Sequence, residues 1–206
     1  ISEGLKPEEL IQMMNDFLTP MSEIVMKNRG TIDKYIGDAM MAFWNAPLDD
    51  ADHARHACHA ALQMQAALEP INESLKARGS AIVLKTGIGI NSGACAVGNM
   101  GSKQRFAYST VGDTVNLASR LEGQTKAYGV PILIGETTYE AASDLASLEL
   151  DLIVVKGKTK PIRIYALLGD EGLAKTAQFK SIKAAHDEMM VAYRAGDFEK
   201  TIKLIK

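Results

Sequence analysis

Asn116 and Arg120 lie four residues apart, and on a helix that spacing stacks an amide and a guanidinium one turn apart on one face. Both could then reach the same anion, the guanidinium through its planar fork of donors and the amide through its NH2 group. The spacing also fits an exposed helix with a polar stripe, so periodicity alone leaves both readings open. Asp38 follows Gly37 between two apolar runs, where a carboxylate can meet a cation but also simply suits a turn. His53, His56 and His59 stand at successive i+3 positions in an alanine-rich stretch. On a helix those steps rotate around the axis and leave the first and third about 9 Å apart along it, which reads as structural or solvent-exposed rather than as a metal cage. The run Gly87-Ile88-Gly89-Ile90-Asn91-Ser92-Gly93 faintly suggests a dinucleotide loop, but a strand rather than a helix is expected after it, and that use is rejected.

These side chains need elements to hold them. Phe106 to Thr110 is rich in aromatic and β-favouring residues, and Gly112 supplies a turn. Asp113 then suits the N-cap of a helix that carries Val115, Leu117, Ala118 and Leu121 on its apolar side and ends near Tyr128 and Gly129. Upstream, Pro7, Glu8 and Glu9 open a helix whose apolar residues, from Leu10 to Val25, fall at helical spacing. Thr31 to Ile36 and Ala39 to Trp44 read as a hairpin with Gly37 and Asp38 at its tip. A long helix is predicted from Asp50 to Arg78, and Ile82 to Asn91 is predicted to pair with Ala94 to Met100 around Asn91, Ser92 and Gly93. Further on come a short buried strand at Pro131 to Ile134, a short helix at Glu136 to Ala142, and a closing strand pair, Leu148 to Val155 with Ile162 to Leu168. The pattern changes near Gly169 to two helices separated by Gly196 and Asp197, like the start of a helical-repeat pair, and residues 169–206 read as a linker or docking segment. Helices in pairs against an antiparallel-rich sheet give an α+β domain.

At 206 residues and 47% hydrophobic content the chain can bury one substantial core, so one main domain with an appendage is expected. A net charge of −2 supplies no dominant basic field and argues against a nucleic-acid partner. Cys58 and Cys95 sit in apolar contexts, which suggests a reducing compartment and small core residues rather than disulfides or ligands. No apolar run of about 18 residues spans a membrane, and no signal peptide is visible. A start at Ile1 and a stop at Lys206 in mid-pattern read as part of a longer protein.

The segment Gly112-Asp113-Thr114-Val115-Asn116-Leu117-Ala118-Ser119-Arg120 resembles the signature of the class III nucleotide cyclases, the adenylate and guanylate cyclase catalytic domains. Gly30 to Trp44, with Asp33-Lys34-Tyr35-Ile36-Gly37-Asp38 at its centre, resembles a second segment of that family, in the expected order and at a similar separation. The resemblance covers roughly residues 1–168 and implies a ferredoxin-like sheet with flanking helices, here without its first strand. It implies a cyclisation in which the ribose 3′-hydroxyl attacks the α-phosphorus of a nucleoside triphosphate and pyrophosphate leaves, assisted by two Mg2+ or Mn2+ ions per site.

By that match Asp38 is the second metal-binding aspartate. The first lies, in the family, upstream of the segment resembling Ile1 to Leu5, so the chain as it stands is expected to turn over weakly or not at all. Arg120 stabilises the transition-state charge, Asn116 orients the ribose, and Lys156, beside Lys158 and Lys160, matches a lysine on the terminal phosphates. Lys34 matches the adenine-reading lysine, where guanylate cyclases typically carry glutamate. Ser109 matches the second base-reading position, held by aspartate in many adenylate cyclases and by threonine in another subgroup. ATP is therefore the expected substrate, and bicarbonate stimulation follows only by analogy with the threonine subgroup. The family shares each site between two catalytic domains, so one chain carrying both halves implies a homodimer with two equivalent sites, cytoplasmic, with a membrane entering only through an upstream sensor region. The competing reading is a silent cyclase-homology module that binds nucleotide or dimerises to regulate a partner. A diguanylate cyclase lacks support, because the hairpin tip is Ile36-Gly37-Asp38-Ala39 and not Gly-Gly-Asp/Glu-Glu-Phe.

Overall fold

The computed structural model describes residues 6–154 and 161–205. In chain order the elements are α1 (Pro7–Lys27), β1 (Thr31–Ile36), β2 (Ala39–Phe43), α2 (His53–Ala77), β3 (Ile88–Ile90), β4 (Ala96–Gly101), β5 (Phe106–Val111) and α3 (Asp113–Tyr128). Then follow β6 (Ile132–Gly135), α4 (Glu136–Ala141), β7 (Ala146–Ile153), β8 (Ile162–Gly169), α5 (Glu171–Lys175), α6 (Ala177–Arg194) and α7 (Phe198–Ile205). The contacts divide the chain into two compact units, one of Ile1–Gly87 with Gly93–Asn116, the other of Ile88–Ser92 with Leu117–Lys206.

In the first unit α1 opens as its sequence predicts. Pro7 occupies the first turn, where its missing N–H leaves no bond unmade, and the Glu9 carboxylate accepts from the Lys6 backbone N–H at 3.1 Å. The apolar stripe of α1 meets α2 through Met13, Met21, Leu68 and Leu75, with Leu84 completing that core. β1 and β2 form the predicted antiparallel hairpin, Ile36 opposite Ala39, and Gly37 takes a positive φ of 62° at the tip. β4 and β5 form a second antiparallel pair, from Ala96 opposite Val111 to Gly101 opposite Phe106.

The expected pairing of residues 82–91 with 94–100 does not occur. The backbone before β3 spends its hydrogen bonds on α2: Asn72 accepts from Leu84 N–H at 2.7 Å and donates to the Leu84 carbonyl at 2.9 Å, and Gln65 donates to the Thr86 carbonyl at 3.0 Å. Those groups are then lost to a ladder, and β3 shrinks to Ile88–Ile90. Two histidines of α2 bond at the start of the helix: His53 Nδ1 lies 2.9 Å from the Asp50 carbonyl, and His56 Nδ1 lies 2.7 Å from the buried Asp50 carboxylate. Cys58 is buried, its thiol pushed up to about 12 by burial, whereas Cys95 is exposed and not the core residue expected.

The second unit holds a four-stranded sheet in the order β3-β6-β8-β7, with β3 parallel to β6 and the other pairs antiparallel. Leu117 and Leu121 of α3 pack on Leu133 and Ile164 of this sheet. Gly89 explains how closely: a Cβ there would collide with the Ala118 carbonyl and the Glu122 amide of α3. At its start α3 departs from expectation by one residue. Asp113 is already helical, and Gly112, at φ 157°, supplies the carbonyl that Val115 and Asn116 N–H donate to. In the tail, Asp170 and Thr176 cap α5 and α6 by accepting from Leu173 and Phe179 N–H at 3.0 and 3.1 Å. α6 docks on β7: His186 Nε2 lies 2.6 Å from the Glu149 carbonyl, and Arg194 pairs with the Glu149 carboxylate.

Two glycines separate close packing from mere helix propensity. Gly89→Ala is expected to destabilise the protein by about 1–3 kcal/mol, because strand and helix backbones must part. Gly123→Ala, in α3 with open space around the new methyl, is expected to stabilise by about 0.5–1 kcal/mol. Urea denaturation of both variants checks the pair; effects of the same sign would refute the close approach.

Candidate active site

The site begins with an irregularity in the first hairpin. Ile32 stands opposite Ala42 and Lys34 opposite Met41, so Asp33 is an extra residue in β1. Strict alternation would send Asp33 and Lys34 to opposite faces; the bulge lets both reach β5. The Asp33 carboxylate accepts from the Ser109 hydroxyl at 2.7 Å and from Thr110 N–H at 3.2 Å. Lys34 Nζ donates to Ser109 Oγ at 3.0 Å and lies 3.2 Å from the other Asp33 oxygen, near in distance but not aligned as a hydrogen bond. Phe43 and Tyr108, ring centroids 6.0 Å apart, pack the hairpin against the same strand.

The electrostatics follow from burial. The Asp33 side chain is fully buried while that of Lys34 is 46% exposed, so the carboxylate is the inner member of the pair and the ammonium faces out. Burial alone would raise the Asp33 pKa. The hydrogen bonds from Ser109 and Thr110 and the charge of Lys34 outweigh it and hold the carboxyl below its ordinary value.

Of the residues singled out in the sequence, Lys34 and Ser109 are thus brought into direct contact. Asp38 lies on the exposed hairpin tip. Among the described residues no three His, Cys, Asp or Glu side chains converge, and Asp38 offers a hard oxygen donor. Asn116 is exposed in the first turn of α3, and Arg120 follows one turn later, half-buried. Among the described residues neither makes a side-chain hydrogen bond or ion pair, which leaves an amide and a guanidinium uncommitted. Lys156 lies outside the described residues. Sequence reasoning missed Asp33 and the Thr110 amide. The only signal was a carboxylate beside Lys34 in a strand, and alternation pointed it the wrong way.

The family model of the adenylate and guanylate cyclase catalytic domain matches residues 1–169. The chain belongs to that family. This cyclase domain is 39% identical over 170 residues to adenylate cyclase 1 of Rhizobium meliloti, a match covering 82% of this chain and 25% of that protein. The chain thus spans a quarter of the length of that relative. Among solved structures it is similar to the adenylyl cyclase CyaB of P. aeruginosa, with 35% identity, a TM-score of 0.76, and coverage of 82% of this chain and 87% of that one. It is nearly as similar to the guanylyl cyclase Cya2, with 35% identity, a TM-score of 0.73, and coverage of 82% and 85%. The predicted α+β cyclase fold is therefore the observed one, and the fold alone does not choose between the two bases.

The depressed Asp33 pKa carries a pH signature. A group held below its unfolded value near 3.9 adds stability above that pH and loses it as pH falls through the folded value. The stability difference between the unsubstituted protein and Asp33→Asn is expected to be largest near neutral pH and to narrow below about pH 4. A difference measured by urea unfolding that stayed constant from about pH 7 to about pH 3 would show that Asp33 gains nothing from its charge.

Proposed function

We propose that this cyclase domain is an adenylate cyclase, converting ATP to 3′,5′-cyclic AMP and pyrophosphate for intracellular signalling. The observation that carries the reading is the Lys34–Ser109 hydrogen bond of 3.0 Å, which joins the two residues that match the family's base readers. The adenylate cyclase of Rhizobium meliloti supports the same choice of nucleotide. In the reaction the ribose 3′-oxygen forms a bond to the α-phosphorus, the bond to the pyrophosphate oxygen breaks, and the hydroxyl proton is released. Arg120, by the family match, meets the charge that grows on the phosphate, where a fixed guanidinium acts more strongly than in bulk water. Asn116 orients the ribose, and Lys156 belongs with the terminal phosphates.

Asp38 is proposed as one carboxylate ligand of the divalent ions, Mg2+ or Mn2+, that would make the hydroxyl acidic and neutralise the polyphosphate. A shared site then follows from the family pattern: Asp38 serves from one protomer, and Lys34, Ser109, Asn116 and Arg120 from the other, in a homodimer with two equivalent sites. The silent, nucleotide-binding reading draws on one observation, that among the described residues no three His, Cys, Asp or Glu side chains converge.

Cyclic nucleotide formation at high protein concentration, with manganese and with ATP and GTP in parallel, decides between them. Cyclic AMP from ATP alone supports the adenylate cyclase; nucleotide binding without product favours the silent module. Arg120→Ala is expected to lower the maximal rate by roughly 100-fold or more with little loss of nucleotide affinity. Unchanged turnover would remove Arg120 from the mechanism. Lys34→Glu is expected to shift preference from ATP toward GTP, and an unaltered ratio would refute Lys34 as a base reader. Active material that sediments only as monomer would exclude shared sites.

A further inference from the structure

The reading of Lys34 and Ser109 as base readers leaves one group without a role, the buried carboxylate behind them. A serine hydroxyl has one hydrogen and two lone pairs, and by itself it can donate to one purine or accept from another. Here its choices are already made. An ionised carboxylate only accepts, so the Ser109 hydrogen points at Asp33, 2.7 Å away. An ammonium only donates, so one Ser109 lone pair is taken by Lys34 at 3.0 Å. One lone pair remains, and the oxygen can offer a base nothing but an acceptor.

We propose that Asp33 is a positioning residue that fixes the hydrogen-bonding polarity of Ser109, so that Ser109 accepts from the 6-position of a purine and rejects a purine that presents an acceptor there. Adenine has a donor at that position, its 6-amino group, and guanine has an acceptor, O6. For Ser109 to donate to O6 it must give up Asp33, leaving a fully buried carboxylate oxygen short of a donor. Discrimination therefore lies in a bond the base never touches. The bulge in β1 fits this role, because it is what turns Asp33 toward Ser109 alongside Lys34.

This inference rests on the base-reading assignment above but not on turnover, and its test is an equilibrium one. ITP is the probe, because inosine carries O6 without the 2-amino group of guanine. The unsubstituted chain is expected to bind ATP about 10-fold or more tightly than ITP. In Asp33→Ala no acceptor stands behind Ser109 and its hydrogen is free, so that preference should fall to within about 2-fold; an amide would not serve, because the oxygen that accepts from Ser109 also accepts from Thr110 N–H and would be kept. In a Ser109→Ala background, where no hydroxyl is left to orient, Asp33→Ala should leave the ratio unchanged, an outcome that loss of fold or of Lys34 packing would not produce. Equal binding of ATP and ITP by the unsubstituted chain overturns the inference without any variant. So does an undiminished preference in a folded Asp33→Ala, or an equal fall in both backgrounds. Cyclic AMP formation with equal binding of ATP and ITP would refute the role of Asp33 and leave the cyclase reading intact. ATP preference that depends on Asp33 in a chain that forms no cyclic nucleotide would do the reverse.

Discussion

A carboxylate with no exposed surface is the constraint on which the first unit turns. Left without partners, a buried Asp33 charge would be strongly unfavourable, and its partners come from elsewhere in the chain: a hydroxyl and an amide from β5 and the ammonium of the next residue. Meeting those partners holds β1 beside β5, with Phe43 and Tyr108 packing the same seam. It also demands the bulge, since regular alternation cannot aim Asp33 and Lys34 the same way. The register of a hairpin, the position of a strand and the orientation of a lysine are therefore consequences of one buried charge. β5 in turn leads through Gly112 into α3, so the strand carrying Ser109 also fixes where the helix bearing Asn116 begins.

The second unit is held by a different physics. Its sheet is apolar on the side that α3 covers, and Leu121, Leu133 and Ile164 have no exposed surface at all. Glycine at position 89 lets a helix backbone settle against a strand backbone, and the hydrophobic burial that follows is nondirectional. What gives the unit its specificity is polar: Tyr128 donates to Asp151 at 2.7 Å, and burial together with that carboxylate pushes the tyrosine up to about 12, so it remains a donor at any ordinary pH. Glu149 does the same for the tail, gathering Arg163 and Arg194 around its carboxylate while its carbonyl meets His186. Apolar area supplies adhesion there, and a few charges select the register.

Much of this was legible from local chemistry. Pro7 and the paired acids after it mark the start of α1, Gly37 and Asp38 mark a hairpin tip, and the Asn116–Arg120 spacing lies on a real helix. The failures share a cause. Residues 82–87 have strand composition, but Asn72 and Gln65, ten or more residues upstream, take their backbone groups, and no window of local sequence contains that competition. Asp33 was invisible for the same reason: its importance depends on a one-residue register shift and on a strand seventy-six residues away. Alternation is a rule about regular strands, and functional strands are where it is broken. Cys95 failed more simply, since apolar neighbours in sequence do not ensure burial just before a two-stranded sheet.

Adenylyl and guanylyl cyclases of known structure resemble this chain about equally, so the backbone is indifferent to the base. Selectivity must then lie in a few side chains, and the identity of those side chains is not sufficient either. Serine and threonine hydroxyls are ambivalent; their meaning to a ligand depends on where their hydrogen is committed. In water that commitment is lost within picoseconds to nanoseconds, as exposed side chains reorient. At Ser109, only 6% exposed, it is held by a carboxylate kept ionised by its surroundings. A hydroxyl becomes a defined acceptor only when a buried anion stands behind it, and the anion becomes tolerable only because the hydroxyl, an amide and an ammonium stand before it. The hydroxyl and the charge that orients it are one unit, so within this fold the inner residue can set what the outer pair offers a ligand.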